Sequence, residues 1–65
     1  MLQANDTPNA RLLILDEDRI ILQSLGQFLR REGYEVVTTD DPGEAIAIME
    51  GKPIDLLLAD INMPG

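Results

Sequence analysis

Three short stretches with the look of strands divide the chain, and between them the apolar positions change to helical spacing. "RLLIL", Arg11 to Leu15, is a brief unbroken apolar run closed by "DED". Its length and its polar stop fit a strand buried on both faces, the kind found in parallel sheets. In "RIILQSLGQFLRREG", Ile21, Leu25, Phe28 and Leu29 recur at offsets of zero, four, seven and eight, with Ile20 and Ser24 flanking them. That spacing predicts an amphipathic helix facing a core through those four residues. Asp18 is placed to cap its start, Arg30 and Arg31 favour the negative end of its dipole, and Gly33 fits the residue just past its end. Gly26 lies inside this helix, where it costs about 1 kcal/mol against Ala and fits close packing on a strand.

"YEVVTT", Tyr34 to Thr39, is rich in β-branched and aromatic residues and predicts a second strand. "DPGEAIAIMEG" predicts a second helix. Asp41 is its N-cap, Pro42 its first residue and Glu44 its capping-box partner, while Ala45, Ile46, Ile48 and Met49 form its apolar side and Gly51 stops it. Ile54 to Ala59 predicts the third strand. Residues 1–10 are polar and read as a flexible lead-in, leaving 11–65 as the structured part.

The order is therefore β-α-β-α-β, with helical crossovers of the kind that parallel strands require. Crossovers are right-handed in roughly 98% of cases. The pattern leaves open whether the third strand extends past the second or returns beside the first. If it returns, the spatial order is 2-1-3, the helices cover opposite faces, and a crevice opens at the carboxyl ends of strands one and three.

Composition narrows the chemistry. The 65 residues contain no Cys and no His, which excludes disulfides, thiolate or imidazole zinc sites, and Cys or His catalysis. The apolar fraction of 45% is that of a globular chain. Twelve acids stand against five bases, a net charge of −7, so binding of a phosphate backbone by this segment is disfavoured. No apolar run approaches the roughly 20 residues of a membrane span, and the start lacks the features of a signal peptide. A cytoplasmic protein is expected.

The acids are not evenly distributed. Asp16 and Glu17 follow the first strand directly, and Asp60 ends the third. An acid after a buried strand often does no more than turn the chain into solvent or cap a helix, and Asp18, Asp40, Asp41 and Asp55 are assigned to turns and caps. Asp16 and Asp60 differ because neighbouring strands lie about 4.8 Å apart, which brings their side chains within reach of one shared ion. Carboxylates that close repel unless a cation sits between them. With oxygen donors alone, the fitting cation is Mg²⁺, and a carboxylate beside Mg²⁺ is suited to attack phosphorus and carry an aspartyl-phosphate. Asp60, last on its strand, is the better nucleophile, and Asp16 and Glu17 are the better metal holders.

"LLILDED", "EGYEV", "GEAIAIME" and "DLLLADINMPG" together resemble the receiver domain of two-component response regulators, from about Arg11 to Gly65. The resemblance implies a flavodoxin-like doubly wound parallel sheet, here its first β-α-β-α-β portion in strand order 2-1-3. It implies a phosphoacceptor, not an enzyme acting on a partner, that takes a phosphoryl group from a sensor histidine kinase. On that reading Asp60 is the phosphoacceptor. Asp16, Glu17, Asp60 and the backbone carbonyl of Asn62 hold Mg²⁺, and Met63 and Pro64 shape the loop. Glu17 stands where the family more often has Asp, and the extra methylene lengthens its reach. The family's second half, with its hydroxyl residue and its lysine, has no counterpart here. The length fits an incomplete stretch of such a protein, impaired alone. The alternative expectation is a non-catalytic association module, half a receiver that forms a homodimer or receiver–receiver contact through its third strand.

Overall fold

The structure, a computed structural model, describes residues 10–60. The expected lead-in, Ala10 apart, and the expected roles of Asn62, Met63 and Pro64 lie outside the described residues. Five elements follow in order: β1 (Arg11–Leu15), α1 (Arg19–Arg31), β2 (Glu35–Thr39), α2 (Pro42–Gly51) and β3 (Leu56–Ala59). The second and third strands are shorter at their starts than the apolar pattern predicts. Tyr34 instead belongs to the end of α1, its N–H donating to Leu29 O at 3.2 Å.

Local chemistry explains where each helix begins and ends. The Asp18 carboxylate accepts the N–H groups of Ile20 and Ile21 at 2.9 and 3.4 Å, relieving the unpaired donors of the first turn of α1. At the other end Gly33 has φ 99°, a left-handed conformation that glycine adopts without steric cost. Its N–H donates to Arg30 O at 3.0 Å, and with the Tyr34 bond to Leu29 O this closes a Schellman motif. Asp41 caps α2 by accepting Gly43 N–H at 3.0 Å, and Pro42 occupies its first position. The capping box is rearranged: Glu44 does not reach back to Asp41 N–H. The buried Thr39 hydroxyl stands between them, donating to Glu44 Oε1 and accepting Asp41 N–H at 3.1 Å.

The three strands are parallel in the order β2-β1-β3. Leu13 pairs with Val37 on one side and Leu57 on the other, so β1 is central. Its Leu12, Leu13 and Ile14 are 5%, 0% and 2% exposed, the deepest run among the described residues and the reason "LLI" carries no polar alternation. Ile14 and Val36 meet Leu22 of α1, with Leu25, Leu29 and Leu58 around them. Thr39, one residue out of phase with Val36 and Thr38, turns to the other face and bonds Glu44 of α2. The helices therefore cover opposite faces, as two right-handed crossovers about a central first strand require.

Two apolar expectations are corrected. The core-facing line of α1 runs through Leu22 and Gly26, both buried, with Leu25 and Leu29 half-buried. Ile21 and Phe28, expected inside, are 43% and 57% exposed. The physical cause is Gly26. A Cβ built there would stand 3.4 Å from Thr38 Cγ2, so α1 packs on β2 at a position that offers no side chain for a periodicity to register. In α2, Ala45 is buried and Ile48 half-buried, while Ile46 and Met49 remain 56% and 39% exposed, because this helix lies over β1 and β2. β3 is paired to β1 alone among the described strands, and its Leu56 and Leu57 are exposed.

Candidate functional site

A parallel sheet turns every strand's carboxyl end the same way, so the acids that end β1 and β3 share one edge of the molecule. Asp16 N–H donates to Thr39 O at 3.2 Å, which carries the β1–β2 ladder one residue past β1. Asp60 N–H donates to Leu15 O at 3.0 Å, which does the same for β3 on β1. Since Leu15 pairs with Ala59, the next residues along the two strands are Asp16 and Asp60, side by side and each half-buried. They border a cleft of about 350 Å³ whose apolar wall includes Ile21 and Leu25 of α1 and Leu58 of β3. The exposure of Ile21 thus has a local meaning, since it stands at the rim of this cleft.

Asp16 is held in place by its own turn. Its Oδ1 accepts Asp18 N–H at 2.9 Å, so the same short loop that caps α1 also fixes the direction of the first acid. Glu17, between them, is exposed and does not border the cleft. Among the described residues no three acidic, Cys or His side chains form a group that would hold a metal ion on their own. The two carboxylates that do share the cleft supply only oxygen donors. That chemistry fits a hard cation that keeps several waters and takes one or two carboxylates. The third protein donor expected, the Asn62 carbonyl, is outside the described residues.

Two features near this edge escape a reading of the sequence alone. Asp40, assigned to a turn, accepts from Arg19 Nη2 at 3.1 Å, an exposed ion pair that ties the start of α1 to the end of β2. A signal existed in the 2-1-3 order, which places the residue after strand two beside the helix that follows strand one. At the opposite, amino end of the sheet Arg11 gathers all three strands. Its guanidinium engages both Glu35 oxygens at 2.8 and 3.3 Å and reaches Pro53 O at 3.4 Å, while its N–H donates to Asp55 Oδ2 at 2.7 Å.

Comparison with known proteins agrees with the fold. The family described as "Response regulator receiver domain" matches residues 12–65. The chain is 44% identical over 55 residues to the transcriptional regulatory protein PrrA of Mycobacterium tuberculosis, covering 83% of this chain and 23% of that one. It is 41% identical over 54 residues to the CAI-1 autoinducer sensor kinase/phosphatase CqsS of Vibrio cholerae, covering 83% of this chain and 8% of that protein. It is 37% identical over 54 residues to the transcriptional regulatory protein GlrR of Escherichia coli, covering 83% and 12%. The chain therefore spans less than a quarter of the length of each of these three relatives.

Proposed function

The chain belongs to the response regulator receiver domain family, and we propose that its Asp60 accepts a phosphoryl group from a sensor histidine kinase with the help of Mg²⁺. The observation that carries this reading is the pair of half-buried acids, Asp16 and Asp60, emerging side by side from β1 and β3 onto one cleft. Asp60 is the nucleophile because it ends its strand at the cleft, with its main chain fixed to Leu15 O. A carboxylate oxygen of Asp60 forms the new bond to phosphorus as the bond from phosphorus to the kinase imidazole nitrogen breaks, and that nitrogen keeps the electron pair.

Asp16, Glu17, Asp60 and the backbone carbonyl of Asn62 are the residues that would hold Mg²⁺. When bound, the ion offsets negative charge on the transferring phosphoryl oxygens. Asp16 serves as the anchor, because its turn to Asp18 holds it in one orientation. Glu17 is exposed, and its longer side chain would contribute to such a site from over the loop. Two carboxylates side by side repel, and repulsion without a cation opposes the approach of a phosphoryl dianion. The apolar wall of Ile21, Leu25 and Leu58 limits water on one side of the acids, which strengthens their interaction with a cation. Among the described residues no helix is long and apolar enough to cross a membrane. A kinase partner of this kind sets the chain in the cytoplasm.

The test is phosphorylation of the chain by a small acyl phosphate with and without Mg²⁺, read by intact mass. One phosphoryl group is added only with Mg²⁺, and Asp60→Asn abolishes it. Retention of the adduct in Asp60→Asn defeats the assignment. A second reading draws on the exposed Leu56 and Leu57 of β3, 51% and 39% accessible: a non-catalytic module that pairs with a second receiver through that strand. A stable dimer that never takes up phosphate favours it.

A further inference from the structure

The outer edge of β2 carries a device that the phosphoacceptor reading does not use. Glu35 N–H donates to Ala10 O at 3.0 Å, and Thr39 O accepts Asp16 N–H, so these two residues of β2 turn their main chain toward β1. In a parallel ladder the alternate residues, Val36 and Thr38, turn theirs the other way, to an edge that no described strand pairs. An edge of this kind is a template for a strand from another molecule. Here it opens into a cleft of about 400 Å³ between α1 and α2, with Thr38 on its floor and Leu22 and Glu44 on its walls.

One group stands in the way. Arg30 Nη2 donates to Val36 O at 3.1 Å, from the last turn of α1 across to the edge of β2. Gly26, one helical turn earlier, lies beside the Arg30 side chain. The space a Cβ would take lies 3.5 Å from Arg30 Nη1 and 3.9 Å from its Cζ. At the far end of the same cleft Arg19 is occupied with Asp40. We propose that Arg30 is a guard on the β2 edge: its guanidinium takes the outward carbonyl of Val36 and keeps a strand of a second copy from adding there.

An incoming strand must first displace a hydrogen bond from a charged donor, on an edge whose next position, Thr38, lies against α1. The guanidinium also puts a positive charge where a donor N–H of the new strand would have to approach. Charge at a sheet edge is a recognised means of blocking edge-to-edge pairing.

The test compares the full chain with its Arg30→Gln variant, which keeps a good helix former at an exposed helical position and loses the charge and the reach. Sedimentation velocity across a concentration series reads self-association. Removal of the guard tightens it roughly tenfold, the factor worth one charge-assisted hydrogen bond. Hydrogen exchange then locates the contact, with Thr38 N–H gaining protection in the associated variant. Unchanged association, or protection that appears at Leu57 and Ala59 of β3 and not at Thr38, overturns the proposal. The wild-type chain provides a reading that needs no variant. NMR of the Arg30 guanidinium shows slowed rotation and a through-bond coupling to Val36 C=O, and a freely rotating guanidinium rejects the guard.

Discussion

At Gly26 α1 packs on Thr38 of β2, and substitution there puts that contact to a quantitative test. Two effects oppose each other. Ala is favoured over Gly in a helix interior by about 1 kcal/mol. Against that, the new methyl would meet Thr38 Cγ2 at 3.4 Å and Arg30 Nη1 at 3.5 Å. Both distances are at the short end of ordinary van der Waals contact, and the second neighbour is the tip of a long side chain that yields cheaply. Propensity therefore wins, and Gly26→Ala stabilises the fold by roughly 0.5 kcal/mol. Gly26→Val reverses the sign. Its two further methyls enter space held by Thr38 and Arg30, an overpacking of about 1–3 kcal/mol, and a β-branched residue forfeits most of the helical gain. Urea denaturation followed by circular dichroism separates the two. With a slope of about 1 kcal/mol/M for so small a domain, the midpoint rises by roughly 0.5 M for Ala and falls by about 1 M or more for Val. If Val is as well tolerated as Ala, α1 does not rest on β2 at Gly26, and the explanation of the exposed Ile21 and Phe28 falls with it.

Leu13→Ala, at a fully buried position, costs about 2–5 kcal/mol, while Leu57→Ala on the exposed face of β3 costs under about 1 kcal/mol; denaturation midpoints that coincide would contradict the burial of β1. The Arg11–Glu35 pair has side chains 26% and 50% exposed, so solvent screening holds its coupling to about 0.5–1 kcal/mol. A double-mutant cycle of Arg11→Met and Glu35→Gln measures it, and a coupling near zero would show that the clamp is only geometric. Asp16→Asn raises the Mg²⁺ concentration needed for phosphorylation by at least about tenfold, since even residues behind metal ligands contribute that much. A Mg²⁺ titration of the phosphorylation rate that superimposes on wild type would remove Asp16 from the site.

Much of this was legible because local rules and the global fold agree. Asp18, Gly33, Asp41 and Pro42 mark helix ends by backbone chemistry that acts within a few residues, and each performs its expected part. "LLI" reads as doubly buried because β1 is flanked by two strands and covered by two helices. The failures share one cause, dependence on partners distant in sequence. The α1 face was assigned from its large side chains, yet the contact is made through Gly26. Glu44 was assigned to a local capping box, yet the Thr39 hydroxyl arrives from β2 and takes its place. At the candidate site, the sequence gives the acids and their positions at strand ends. The residues alone leave the strand order open, and only the 2-1-3 order sets Asp16 beside Asp60. The Arg19–Asp40 pair depends on that same order.

The Arg11 contacts have a mechanical consequence. One side chain and its own N–H tie β2 and the entry to β3 to β1 at a single end of the sheet. The acids stand at the other end. Parting the strands at the Arg11 end must therefore break side-chain bonds in addition to the main-chain ladder.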